Sequence, residues 1–180
     1  MRVRGALMGK SLSRALARAE MAVEAMSSAM AAYQYADSVL GYRWCQAELL
    51  IMRDPIWAFA YAKKFIGGRW LEAEPFIVRD AAVAYKYAQL FIQGRWPEAE
   101  GVIGADPYYA YVYARDFIRG RWREVESVIV TDAMPACYYA LEVLGERWPR
   151  AESVILANKM YGYVYTARFL NAWSGGDAAG

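Results

Sequence analysis

GRWPEAE, residues 94–100, is spelled again with small changes as GRWLEAE at 68–74, GRWREVE at 120–126, ERWPRAE at 146–152 and YRWCQAE at 42–48. Trp44, Trp70, Trp96, Trp122 and Trp148 therefore stand 26 residues apart, with Arg43, Arg69, Arg95, Arg121 and Arg147 directly before them. Further columns keep the same period. Glu48, Glu74, Glu100, Glu126 and Glu152 follow four residues after each tryptophan, and Ile51, Ile77, Ile103, Ile129 and Ile155 follow seven after. Asp54, Asp80, Asp106, Asp132 and then Asn158 come at ten, and Tyr61, Tyr87, Tyr113, Tyr139 and Tyr165 at seventeen. A fixed period of this length marks a repeat array, each unit of which buries its apolar face against its neighbours.

Each unit reads as two helices. Pro97 fits the first turn of a short helix, and Glu98 and Glu100 lie where the helix dipole favours acids. Asp106 then supplies an N-cap oxygen and Pro107 a first helical residue, a start signal repeated at Asp54 and Pro55. On this second helix Ala110, Tyr113, Ala114, Phe117 and Ile118 fall on one apolar face, as do Ala58, Tyr61, Ala62, Phe65 and Ile66. Gly68, Gly94 and Gly120 are suited to close it in the left-handed conformation. The expected fold is all-α, an α-solenoid of five to six two-helix repeats of 26 residues. A basic N-terminal helix and a degenerate capping repeat, recognisable in Tyr33, Tyr35 and Ala36, take residues 1–43. Five tandem hairpins occupy 44–173, and 174–180 reads as a loose, flexible tail.

The totals narrow the function classes. A chain of 180 residues that is 58 % hydrophobic and 22 % charged is globular, with no apolar run long enough to span a membrane. The net charge of +2 gives no bulk attraction to nucleic acid, although residues 1–18 hold Arg2, Arg4, Lys10, Arg14 and Arg18 and no acid. That start has the flavour of a mitochondrial transit peptide but runs on into the first helices without a secretory apolar core or cleavage site, so it reads as folded and mature. Cys45 and Cys137 occupy different repeat positions, suggesting neither a disulfide nor a metal pair. With no histidine in the chain, no His-based zinc site, Ser-His or Cys-His pair is available. The acids are accounted for by helix starts, and no phosphate loop is present, so the chain reads as non-enzymatic, without cofactor or metal.

The Arg-Trp columns recur whatever surrounds them, which fits a structural role: tryptophan filling the corner between helices and arginine bonding helix carbonyls or the recurring glutamate. The variable positions are more informative about partners. Those 12, 16, 19 and 23 residues after each tryptophan, from Ile56 to Asn171, contain no acid. They include Lys63, Lys86, Gln89, Tyr108, Arg115, Arg119, Met134 and Tyr138, a mixture of aromatic, methionine and basic character typical of interface cores. Two readings of this stripe stand together: a partner-binding face, or a face covered by the other helix layer. Its basic members also admit a nucleic-acid-binding array, and apolar terminal units admit self-assembly.

The strings AYKYAQLFIQGRWPEAE at 84–100 and AYVYARDFIRGRWREVE at 110–126 resemble tandem repeats of tailed-bacteriophage proteins. The resemblance covers 44–173, and more weakly 18–43; it implies a viral origin and a helical array, and carries over no catalytic residue. It also implies a place in the cytoplasm of an infected bacterial host or in the virion. Departures concentrate at the ends, where Arg18 stands in the tryptophan position and Gly162, Thr166 and Asn158 replace recurring residues, as terminal units of solenoids do.

Overall fold

The computed structural model describes residues 2–170, with side chains from residue 12 onward, and contains helices and no strand among them. The fold class is the expected one, all-α, with helical hairpins packed in tandem. The chain divides into two compact units, Met1–Ile77 and Val78–Gly180. Asn171 and the tail 174–180 lie outside the described residues.

The first unit holds α1 (Arg2–Ala25), α2 (Ala29–Tyr35), α3 (Glu48–Ile51), α4 (Pro55–Tyr61) and α5 (Glu74–Ile77). Ser28 caps α2 by accepting from the Ala31 amide at 3.1 Å. The Tyr35 hydroxyl donates to the Arg18 carbonyl at 3.0 Å and so ties α1 to α2. The second unit holds α6 (Ala81–Tyr87), α7 (Pro97–Ile103), α8 (Pro107–Tyr113), α9 (Glu126–Ile129), α10 (Ala133–Tyr138), α11 (Pro149–Ala157) and α12 (Lys159–Phe169). There α8 packs beside α6 and α10, and α10 beside α12, while α7, α9 and α11 pack against them.

Local sequence sets the lengths. Where proline follows the tryptophan, at Pro97 and Pro149, the first helix starts there and reaches seven or nine residues. Without it, the turn after Trp44 or Trp122 is 3₁₀ and only four α-helical residues follow. The Asp column caps the second helices: Asp54, Asp80, Asp106 and Asp132 each accept from amides two or three residues on. Asn158 does the same for Met160 and Tyr161, so the departure at that position preserves the cap. Ala84, Ala88, Ala110, Ala114, Ala136 and Ala140 are fully buried and let neighbouring second helices approach closely.

The helix ends differ from expectation. The left-handed residue stands three before the tryptophan, one place ahead of the glycine where GRW is spelled in full: Gly41, Gly67, Gln93, Arg119 and Gly145 have φ between 55° and 73°. Its amide reaches five residues back, as from Gly67 to the Ala62 carbonyl and from Arg119 to the Ala114 carbonyl, closing a π-helical turn. Gly68, Gly94 and Gly120 therefore follow the cap instead of forming it. The wide turn also carries the last positions off the α-helical stripe. Ala110, Tyr113 and Ala114 are buried as the periodicity predicts, but Phe117 and Ile118 are only half-buried.

Candidate functional site

The recurring residues are spent on one another. In every repeat the arginine before tryptophan forms a two-pronged ion pair with the glutamate five residues on: Arg43 with Glu48, Arg69 with Glu74, Arg95 with Glu100, Arg121 with Glu126 and Arg147 with Glu152. The tyrosine hydroxyl joins the same cluster. It accepts the tryptophan backbone amide, at 2.5 Å for Trp96 to Tyr113 and 2.7 Å for Trp44 to Tyr61, Trp122 to Tyr139 and Trp148 to Tyr165. Tyr61, Tyr113 and Tyr165 in turn donate to Glu48, Glu100 and Glu152. On its other side the ring meets the next indole, with centroids 5.3 Å apart for Tyr61 and Trp70 and 5.4 Å for Tyr113 and Trp122. Trp70, Trp96, Trp122 and Trp148 are buried, and Trp44 is half-buried.

This cluster sets a pH window. Burial raises the Tyr113 and Tyr139 phenols to about 12 and also lifts Tyr165, while the arginine bond lowers Glu48, Glu100 and Glu152. A raised tyrosine contributes stability that is complete below about pH 10 and is lost as pH climbs through the folded value. A lowered glutamate contributes stability that is complete above the ordinary carboxylate range, about 4.3, and is lost as pH falls through the depressed value. The melting temperature is expected to be flat between roughly pH 5 and 10 and to drop on both sides. Absorbance of these tyrosinates should appear together with helix loss; titration of every tyrosine near pH 10 with helicity intact would contradict it.

The variable stripe is largely exposed. Lys63 is exposed in the first unit; in the second, Lys86, Gln89, Tyr108, Arg115 and Arg119 are exposed and Met134 and Tyr138 half-exposed. Val112, in the same row, is buried. Arg115 is not a free cation: it pairs with Asp116 at 2.7 Å and with Glu142 at 3.2 Å. The row selected as free of acids thus stands beside two carboxylates contributed by positions one residue over.

Those carboxylates belong to a lateral ladder between successive repeats that column alignment does not reveal. The Tyr85 hydroxyl donates to Asp116, and the Tyr111 hydroxyl to Glu142, each at 2.5 Å and 31 residues apart in sequence. In the first unit Lys64 pairs with Asp37, at the positions that Glu142 and Arg115 occupy in the second. An aromatic run accompanies the ladder. Tyr85 meets Tyr109, Tyr109 meets Tyr108, Tyr108 meets Tyr111, Tyr111 stacks on Tyr138 and Tyr138 meets Tyr161, with centroids 5.1–6.5 Å apart. Burial lifts Tyr85 and Tyr111 well above the ordinary phenol range, so at neutral pH they donate hydrogen bonds and transfer no proton. The arrangement suits recognition better than acid-base chemistry. Sequence reasoning missed Tyr85, Tyr109, Tyr111, Asp116, Glu142 and Tyr161; the only signal was a tyrosine in one repeat answered by an acid 31 residues later.

No protein-family model, curated protein or solved structure matches this chain. No described helix is long and apolar enough to cross a membrane.

Proposed function

We propose that the chain is a non-enzymatic, phage-encoded repeat scaffold that binds another protein through the exposed second-helix face of its second unit, in the virion or the infected host. One observation carries this reading. The recurring Arg, Glu, Trp and Tyr columns are engaged inside the repeats, whereas the variable row displays aromatic and basic side chains to solvent. Tyrosine, methionine and arginine around a half-buried aromatic run are the composition of an interface core. Nucleic acid is the second reading, favoured by Lys86 and Arg119, which have no ion pair among the described residues; Asp116 and Glu142 on the same face oppose phosphate.

The test is capture of partners by the tagged chain from bacterial host lysate, with and without nuclease. A stoichiometric protein is expected to survive nuclease and to be lost with Tyr108→Ala and Tyr138→Ala together. Recovery abolished by nuclease would favour the second reading, which also requires affinity to fall steeply with salt. Recovery of the chain alone would point to self-assembly.

A further inference from the structure

Five second helices end in the same left-handed residue, and three of them use glycine. At Gly41, Gly67 and Gly145 an added Cβ would meet nothing within 4 Å, so backbone conformation, not space, favours glycine there. Two successive repeats of the second unit place Gln93 and Arg119 at this position, both with φ of 55°. A side chain in this conformation is strained. Both side chains are exposed and neither makes a hydrogen bond or ion pair with the described residues, so the strain is offset only by the backbone bonds from their amides to the Ala88 and Ala114 carbonyls, which glycine would make equally.

We infer that Gln93 and Arg119 form the edge of a docking surface for an acidic polypeptide segment, together with Lys86. This rests on the protein-binding reading and names the kind of partner. Charge complementarity selects it: Lys86 and Arg119 are exposed cations without a carboxylate partner among the described residues. The Arg115 guanidinium is already neutralised by Asp116 and Glu142. Those two carboxylates would repel a continuous phosphate backbone, yet a peptide can place its acids at Lys86 and Arg119 and leave neutral side chains opposite them. Gln93 adds an uncharged donor and acceptor between them in the sequence of repeats.

The experiment measures fluorescence anisotropy of a labelled peptide of alternating glutamate and alanine, its lysine counterpart, and a single-stranded oligodeoxynucleotide of the same length, with the full chain. The glutamate peptide is expected to bind best and to weaken about fivefold with Arg119→Gly, the scale of one exposed ion pair. Arg150→Ala, which removes an equal charge from an exposed site on α11, should leave binding nearly unchanged. Arg119→Gly and Gln93→Gly should each raise the melting temperature, by about 2–4 °C, because glycine relieves the strain. Equal losses from Arg119→Gly and Arg150→Ala would overturn the inference, as would preference for the lysine peptide or the oligonucleotide. A cellular partner captured equally by wild type and Arg119→Gly would remove this surface while leaving the protein-binding reading intact.

Discussion

Replacing Trp96 by alanine is expected to lower the free energy of unfolding by about 3–5 kcal/mol, the range for deleting a fully buried large aromatic side chain. The indole is 4 % exposed and its ring lies 5.2 Å from Tyr87. Its backbone amide holds the Tyr113 hydroxyl, which in turn reaches Glu100 at 3.2 Å. Alanine keeps that amide, so the loss measures packing and not the hydrogen-bonded cluster. Because each repeat is stable only against its neighbours, the cavity should also broaden the transition. Denaturant unfolding followed by circular dichroism gives both quantities. A curve identical to wild type would place the indole at the surface and return the tryptophan column to the list of binding residues.

What was legible in the sequence was whatever each repeat says in the same words. The Asp column announces caps, and Asn158 shows that the chemistry of the cap, not the identity of the residue, is kept. The Arg and Glu columns, five residues apart, find each other in all five repeats. The helix ends were misread because glycine is the usual sign of a left-handed cap, and the glycine of GRW stands one residue past the residue that needs it. The π-helical closure recurs whether Gly67, Gln93 or Arg119 follows it, so no single residue type encodes it. The lateral ladder was hidden for the opposite reason: Tyr85 and Asp116, or Tyr111 and Glu142, differ from repeat to repeat, so aligning columns averages them away. A variable position in an array is readable only with its neighbour in the next repeat, and that neighbour is fixed by packing.

Gly104 and Val125 provide the sharpest test of that dependence. Eight residues after the tryptophan the other repeats carry Met52, Val78, Val130 and Leu156, and three residues after it they carry Ala47, Ala73, Ala99 and Ala151. Here alone the small residue stands in the first position and the larger in the second. Gly104 has φ of −70° and ψ of −14°, a conformation open to any residue, so its backbone does not require glycine. Space does: a Cβ would lie 2.6 Å from Val125 Cγ1, 2.9 Å from the Glu100 carbonyl oxygen and 3.3 Å from Trp122 Cη2. Gly104→Val is therefore expected to cost roughly 1–3 kcal/mol or more by overpacking. Val125→Ala alone should be destabilising through the space it leaves. The double variant recreates the valine and alanine of Val78 and Ala99, and should recover part of the stability of the parent, a favourable coupling of about 1–3 kcal/mol, the remainder reflecting the shift that the Glu100 carbonyl must make. Simply additive losses would mean that the two positions relax independently. The coupling matters beyond the core, because the stacking of successive repeats that Trp122 and Val125 help to set is also what brings the Tyr111 hydroxyl of one repeat to Glu142 of the next.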